Sequence, residues 1–186
     1  MSPPPTTYAR VARRIRVPLG FALAGVYIWL AHPTWPSILV GLAVVAPGIG
    51  LRALASGHVK KNTELTTTGP YAYTRNPLYL GSILIGAGFG IASRSWWIAL
   101  AIVLLFLAIY VPVIRSEEEY LRSQFPEFDE FARRVPRLLP RPWPAAGTGK
   151  GSFSPELYRK HREYNVVLGA IGMMGILVVK MLIFQR

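Results

Sequence analysis

Residues 78–114 read LYLGSILIGAGFGIASRSWWIALAIVLLFLAIYVPVI. Their only charge is Arg94, in a polar break of three residues, Ser93–Ser95. Each apolar half is close to the roughly 20 residues that a helix needs to cross the hydrocarbon of a bilayer. Two such halves joined by so short a loop form a helical hairpin, whose two ends lie side by side. One end carries Gly69-Pro70-Tyr71-Ala72-Tyr73-Thr74-Arg75-Asn76-Pro77-Leu78-Tyr79-Leu80-Gly81, and the other carries Arg115-Ser116-Glu117-Glu118-Glu119-Tyr120-Leu121. At about 1.5 Å per residue, the second helix regains the starting depth of the first near Val111–Val113. Glu117 and Glu118 then fall level with the loop bearing Tyr71, Tyr73 and Arg75.

Outward from the hairpin, the rest of the chain repeats the apolar pattern. Five spans are predicted: Val17–Ala31, Trp35–Ala55, Leu78–Ala92, Trp96–Ile114 and Tyr164–Phe184. The fold class is therefore all-α, a polytopic transmembrane helical bundle in one domain covering residues 1–186. The first span also fits a signal peptide with Arg10, Arg13, Arg14 and Arg16 as its basic region. Hydrophobic residues make up 52% of the chain and the formal net charge is +12. In a soluble protein that charge would suggest nucleic acid. Here the basic residues flank apolar runs, so they report membrane topology and no nucleic-acid partner is expected.

Arg and Lys concentrate in the N-terminal arm, in Arg52–Arg75 and in Arg115–Arg162, while the other loops carry only Arg94. With five spans these three regions share one side. The positive-inside rule makes that side cytoplasmic, with the N-terminus inside. Trp29, Trp35, Trp96 and Trp97 fall at the opposite boundary, as an interfacial belt would. There is no cysteine, which excludes disulfides and thiolate metal sites. His32, His58 and His161 lack metal-ligand spacing.

Asn76-Pro77 reads as a helix start, with Asn at the N-cap and Pro at the first helical position. Pro112 should bend the fourth span, either opening a cavity or merely adjusting packing. Ser82, Gly86 and Gly90, and in the last span Gly169, Gly172 and Gly175, are expected to be packing faces. Glu117 to Arg134 fits a surface helix, with Phe125, Phe128 and Phe131 serving either as a buried apolar face or as a lid. Trp143–Ser152 reads as a linker. Opposite charges, tyrosines and a helix N-terminus thus converge on one spot. An amino acid-like ligand needs a cation or free N–H groups for its carboxylate, a carboxylate for its ammonium, and aromatic surface for a positive centre.

These motifs resemble those of the isoprenylcysteine carboxyl methyltransferase and phospholipid methyltransferase superfamily of integral membrane enzymes. Gly69-Pro70-Tyr71 through Arg75-Asn76-Pro77-Leu78-Tyr79-Leu80-Gly81 matches its G-P-Y-x-x-x-R-[HN]-P-x-Y-x-G pattern. Glu117-Glu118-Glu119-Tyr120-Leu121, the Phe125–Phe131 stretch, and Val135-Pro136-Arg137-Leu138-Leu139-Pro140 follow in the family order. The resemblance covers about residues 57–142, and the span at 164–184 lies beyond it. It implies methyl transfer from S-adenosyl-L-methionine, taken from the cytosol, to a lipophilic acceptor entering from the bilayer among the membrane lipids. It marks Tyr71, Arg75, Asn76, Pro77, Tyr79, Glu117 and Glu118 as cofactor and active-site positions, with Arg75 and Glu118 catalytic. Lys61 is either a further ligand for the cofactor carboxylate or a topogenic lysine. Many members carry histidine where this chain has Asn76, which cannot titrate near neutral pH. Pro126 stands where glycine is usual.

The acceptor stays open at this level. A carboxylate, as in prenylcysteine O-methylation, is already ionised and needs no base. An amine, as in phosphatidylethanolamine N-methylation, must lose a proton to Glu117 or Glu118. A thiol is a third option, and a non-catalytic lipid-binding or assembly protein is the rival from another class.

Overall fold

The computed structural model describes residues 22–60, 63–147 and 151–184. The described residues are all-helical and contain no strand. Helix α1 is described over residues 22–30. It is followed by α2 (Trp35–Ser56), a 3₁₀ turn (Gly69–Ala72), α3 (Pro77–Ser93) and α4 (Trp96–Leu105). A π-helical segment (Phe106–Tyr110) leads into α5 (Val111–Gln124), then α6 (Phe128–Arg134), α7 (Pro155–Lys160) and α8 (Tyr164–Phe184). Helices α2 and α8 and the continuous rod from Trp96 to Gln124 are long and apolar enough to cross a membrane; α3 is shorter but apolar. With α1 this gives the five spans expected, and the protein is an integral membrane protein. The part of the first span before residue 22 lies outside the described residues.

The core is built on glycine. Gly41 and Gly48 of α2 face Gly88 and Gly81 of α3 across an antiparallel crossing. A Cβ on Gly41 would sit 2.7 Å from the Gly88 carbonyl oxygen, and one on Gly48 would sit 2.8 Å from that of Gly81. Only missing side chains let the two backbones approach so closely. Gly86 and Gly90 instead face Ile102 on α4, so α3 presents small residues to both neighbours. The expected face on the last span is a correction: Gly169, Gly172 and Gly175 have nothing within 4 Å among the described residues. Helix α8 packs through Ala170, Met174, Leu177 and Met181, in one cluster with Ile38 and Val45 of α2. At its far end the Lys180 ammonium donates to the carbonyls of Ile28, Trp29 and Ala31. A cation there satisfies the orphan acceptors at the C-terminus of α1 and suits the negative end of its dipole.

Short connections fix the end opposite the polar clusters. Thr34 and Ser37 form a capping box at the start of α2. The Ser37 hydroxyl also donates to the Ala92 carbonyl at 3.1 Å, and the His32 N–H donates to the Ser93 carbonyl at 2.7 Å. Arg94 closes α3 in a left-handed conformation, φ 51°. Trp29, Trp35, Trp96 and Trp97 are all exposed at this end.

Two expectations at the other end are corrected. The fourth span does not stop at Ile114 but runs on as α5 to Gln124. The surface helix expected over Glu117–Arg134 is two helices, because Pro126 lies in the break between Gln124 and Phe128. Its phenylalanines are interior: Phe128 and Phe131 are buried with Val135 and Ala145. Residues 143–147 and 151–154 are non-helical, as a linker should be.

Candidate active site

The structure brings the two clusters into direct contact. Glu118 is 3% exposed and lies on the same face of α5 as buried Ile114, four residues earlier. Its Oε1 accepts from Asn76 Nδ2 at 3.2 Å and lies 3.4 Å from Arg75 Nε. Its Oε2 accepts from Arg137 Nε at 2.9 Å and pairs with the second guanidinium nitrogen at 2.8 Å. One carboxylate is therefore held by two arginines and an amide. A buried charge is tolerable only when it is paired and hydrogen-bonded in this way.

Glu117, one residue earlier, points about 100° around the helix and is exposed. It accepts from the Tyr79 hydroxyl at 2.8 Å. The Tyr79 ring meets Tyr110 edge to face, with centroids 5.5 Å apart, and Tyr110 stacks on Phe106 at 5.3 Å. Tyr110 and Phe106 both lie in the π-helical segment that precedes Pro112. Proline has no N–H to give the Ala108 carbonyl, and widening the helix there accommodates the loss. Such π-bulges recur at functional sites.

Asn76 sits at the N-cap of α3, and its carbonyl receives the Leu80 N–H. Its side chain makes no capping bond, which corrects the expectation that it caps α3. Its Nδ2 instead donates to Glu118 and, at 2.9 Å, to the Arg137 carbonyl, and these bonds set the orientation of the amide. The first turn of α3 is left without a side-chain cap.

The tail after α6 locks this arrangement through the main chain. The Arg75 N–H donates to the Pro136 carbonyl at 2.9 Å, the Arg141 N–H to Tyr73 at 3.0 Å, and the Ala145 N–H to Ala72 at 3.0 Å. Buried Thr74 donates its hydroxyl to the Leu138 carbonyl at 3.0 Å. Val135-Pro136-Arg137 therefore closes the site from outside, and the Arg137 side chain completes the cage around Glu118.

A cavity of about 300 Å³ opens between these elements. Tyr71, Arg75, Asn76, Pro77, Tyr79, Glu117 and Glu118 all line it, with Phe128 and Phe131 as its apolar wall. Lys61 lies outside the described residues. Sequence reasoning missed Arg137, although its motif was in view, and it missed Arg52 and Glu163, which also line the cavity. Nothing distinguishes those two from topogenic charges in the sequence.

Within the cavity the charges are unevenly matched. Arg52 pairs with Glu163 at 2.7 Å and Lys60 with Glu64 at 3.1 Å, while Arg75 faces Glu118. Glu117 has no cation within 4 Å among the described residues. Arg75 Nε is buried without a hydrogen-bond partner, because its approach to Glu118 is close but poorly aligned. Burial pulls the Arg75 guanidinium below its ordinary pKa, and Glu118 opposes that shift. Arginine stays charged regardless. Burial, reinforced by Glu117, pushes the Tyr71 phenol well above its ordinary pKa, so Tyr71 is a neutral wall and not a base. No group of three or more His, Asp or Glu among the described residues is placed to hold a metal ion.

At the polar end of the bundle the cavity thus brings together a buried guanidinium, a carboxylate with no cation within 4 Å among the described residues, and the Tyr71 and Tyr79 side chains. The model of the phospholipid methyltransferase family matches residues 37–127. Over that segment, which carries both clusters, the chain resembles that family of membrane methyltransferases. It is 36% identical over 119 residues to the nickel-cobalt-cadmium resistance protein NccN of Alcaligenes xylosoxydans xylosoxydans, covering 59% of this chain and 56% of that one. It is 34% identical over 135 residues to the cobalt-zinc-cadmium resistance protein CzcN of Cupriavidus metallidurans, covering 68% of this chain and 62% of that one. The chain thus spans less than two thirds of the length of either relative. No solved structure matches it.

Proposed function

We propose that the protein transfers a methyl group from S-adenosylmethionine to a lipid-like acceptor at the cytoplasmic face of the membrane. The observation that carries this reading is Glu117, the cavity's carboxylate without a cationic partner among the described residues, set against Tyr79 and its aromatic neighbours. A carboxylate beside tyrosine rings suits a positively charged ligand. The family match supports the same reading, as does a cavity whose volume lies at the lower end of the range of small-molecule sites.

The cofactor supplies an electrophilic methyl group. The Arg75 guanidinium and the uncapped first turn of α3 would receive its carboxylate. Glu117 would face its ammonium or sulfonium, and Phe128 and Phe131 would exclude water from the apolar side. Glu118 acts through others: it holds Arg75 and Asn76 in place. Glu117 and Tyr79 also line a hollow with Val113, Ser116 and Tyr120 on the outer face of α5, where a bilayer acceptor can approach. If the acceptor is a carboxylate, as in isoprenylcysteine O-methylation, it arrives ionised and only needs orienting. Glu117 specifically favours a second reading, an amine lipid: a carboxylate already at that place can take the proton the amine must lose.

Calorimetric titration of the protein in detergent with S-adenosylmethionine tests the proposal. Binding should fall at least tenfold in Glu117→Gln and Arg75→Met, a loss of about 1.4 kcal/mol or more. Membranes given methyl-labelled cofactor with prenylcysteine, thiol or amine-lipid acceptors then name the substrate. A wild-type protein that does not bind the cofactor refutes the reading.

A further inference from the structure

The last span does more than pack. Glu163, at the entrance to α8, reaches the cavity wall and grips Arg52 of α2 with both oxygens, at 3.0 and 2.7 Å. Arg52 also donates to the Ser82 hydroxyl at 2.6 Å and to the Leu78 carbonyl at 3.3 Å. Its guanidinium is thus held against the first turn of α3, one residue from Tyr79, whose hydroxyl holds Glu117. The Glu163 side chain is 10% exposed and that of Arg52 21%. The charges of Arg52, Glu117 and Glu163 all act on the buried Tyr71 phenol, so the three share one electrostatic neighbourhood.

We infer that Glu163 is a specificity-determining residue, which neutralises Arg52 and so reserves Glu117 for a positively charged ligand. The inference rests on the cofactor reading above and deepens it. With Glu163 present, Arg52 is matched and, among the described residues, Glu117 keeps no cation within 4 Å. Without it, an unmatched guanidinium faces the same cavity and cancels Glu117, although every residue of the two motif clusters is intact. The span beyond the family segment would then set the charge of the site.

The experiment compares wild type, Glu163→Gln and the double variant Arg52→Gln/Glu163→Gln in detergent, each checked for thermal unfolding and titrated with S-adenosylmethionine. Glu163→Gln is expected to bind about tenfold more weakly. The double variant, having lost both charges, should recover most of that affinity. A brace without an electrostatic role predicts the reverse, because the double variant has lost more contacts. Glu163→Gln binding like wild type, or a double variant no better than the single one, overturns the inference alone. A wild type that fails to bind overturns the cofactor reading and this inference with it.

Discussion

Glu118→Gln isolates the electrostatics at the centre of the site. Glutamine keeps the shape of glutamate and one acceptor oxygen, so Asn76 can retain its bond. The other position becomes an NH₂ group pointed at the Arg137 guanidinium, donor against donor. Two cations then lose their counter-charge, but unequally. The Arg137 side chain is 52% exposed and can turn to water, whereas that of Arg75 is 12% exposed and cannot. Breaking a buried pair by removing one partner costs about 3–5 kcal/mol, and an exposed one about 0–1 kcal/mol. The expected loss is therefore about 3 kcal/mol for Glu118→Gln and about 1 kcal/mol for Arg137→Ala. For a chain of this size, each kcal/mol shifts Tm by about 2–4 °C. Thermal unfolding in detergent should show a drop of about 6–12 °C for the first variant and a few degrees for the second. Adding Arg75→Met to Glu118→Gln should recover part of the loss, since the stranded cation is gone. Equal effects of Glu118→Gln and Arg137→Ala, or no recovery in the double variant, would refute this account of the cage.

The remaining predictions concern packing and pH. Gly88→Val places a Cβ 2.6 Å from the Gly41 carbonyl oxygen; backbone cannot yield there, so the α2–α3 pair should separate and folded protein should be lost on size-exclusion chromatography, while Gly169→Val should be silent. The Tyr71 phenol keeps its proton in the fold at pH values where the unfolded chain has lost it. The folded state then binds more protons, so stability falls as pH rises above about 10; each further pH unit costs up to about 1.4 kcal/mol. Tyr71→Phe should reduce that alkaline loss by one group's share, Tyr79 keeping its own, as read from Tm between pH 9 and 11. Lys180→Met strips the carbonyls of Ile28, Trp29 and Ala31 of their donor and should lower Tm without altering cofactor affinity.

Hydropathy made the spans legible because a bilayer demands long apolar helices with internally satisfied backbones. Helical rise then sufficed to bring Glu117 and Glu118 level with Arg75 across the hairpin. What it could not supply was the division between the two carboxylates. That depends on which of two adjacent positions faces Ile114's side of α5, and the neighbouring residues do not reveal it. Asn76 was misread because an N-cap residue usually serves its own helix, whereas here its amide is turned to donate to a carboxylate on another helix. Arg52, Arg137 and Glu163 were hidden for a different reason. Charges at the ends of spans look alike whether they orient the chain or build a site, and only distance separates them. On α3, glycines seven apart proved to face one neighbour and glycines four apart the other, a distinction that needs both partners in view.

The main-chain ladder between residues 72–75 and 136–145 has a consequence for biogenesis. The hairpin of α3 and the rod from Trp96 is complete in sequence by Gln124, before the tail that closes the site. At that stage Glu118 has been made but still lacks Arg137. The carboxylate acquires its full cage only after the tail has emerged and zipped along the loop before α3, and the partner of Arg52 arrives later still. Nascent chains released before residue 137 would carry a complete hairpin with a half-neutralised acid at its rim.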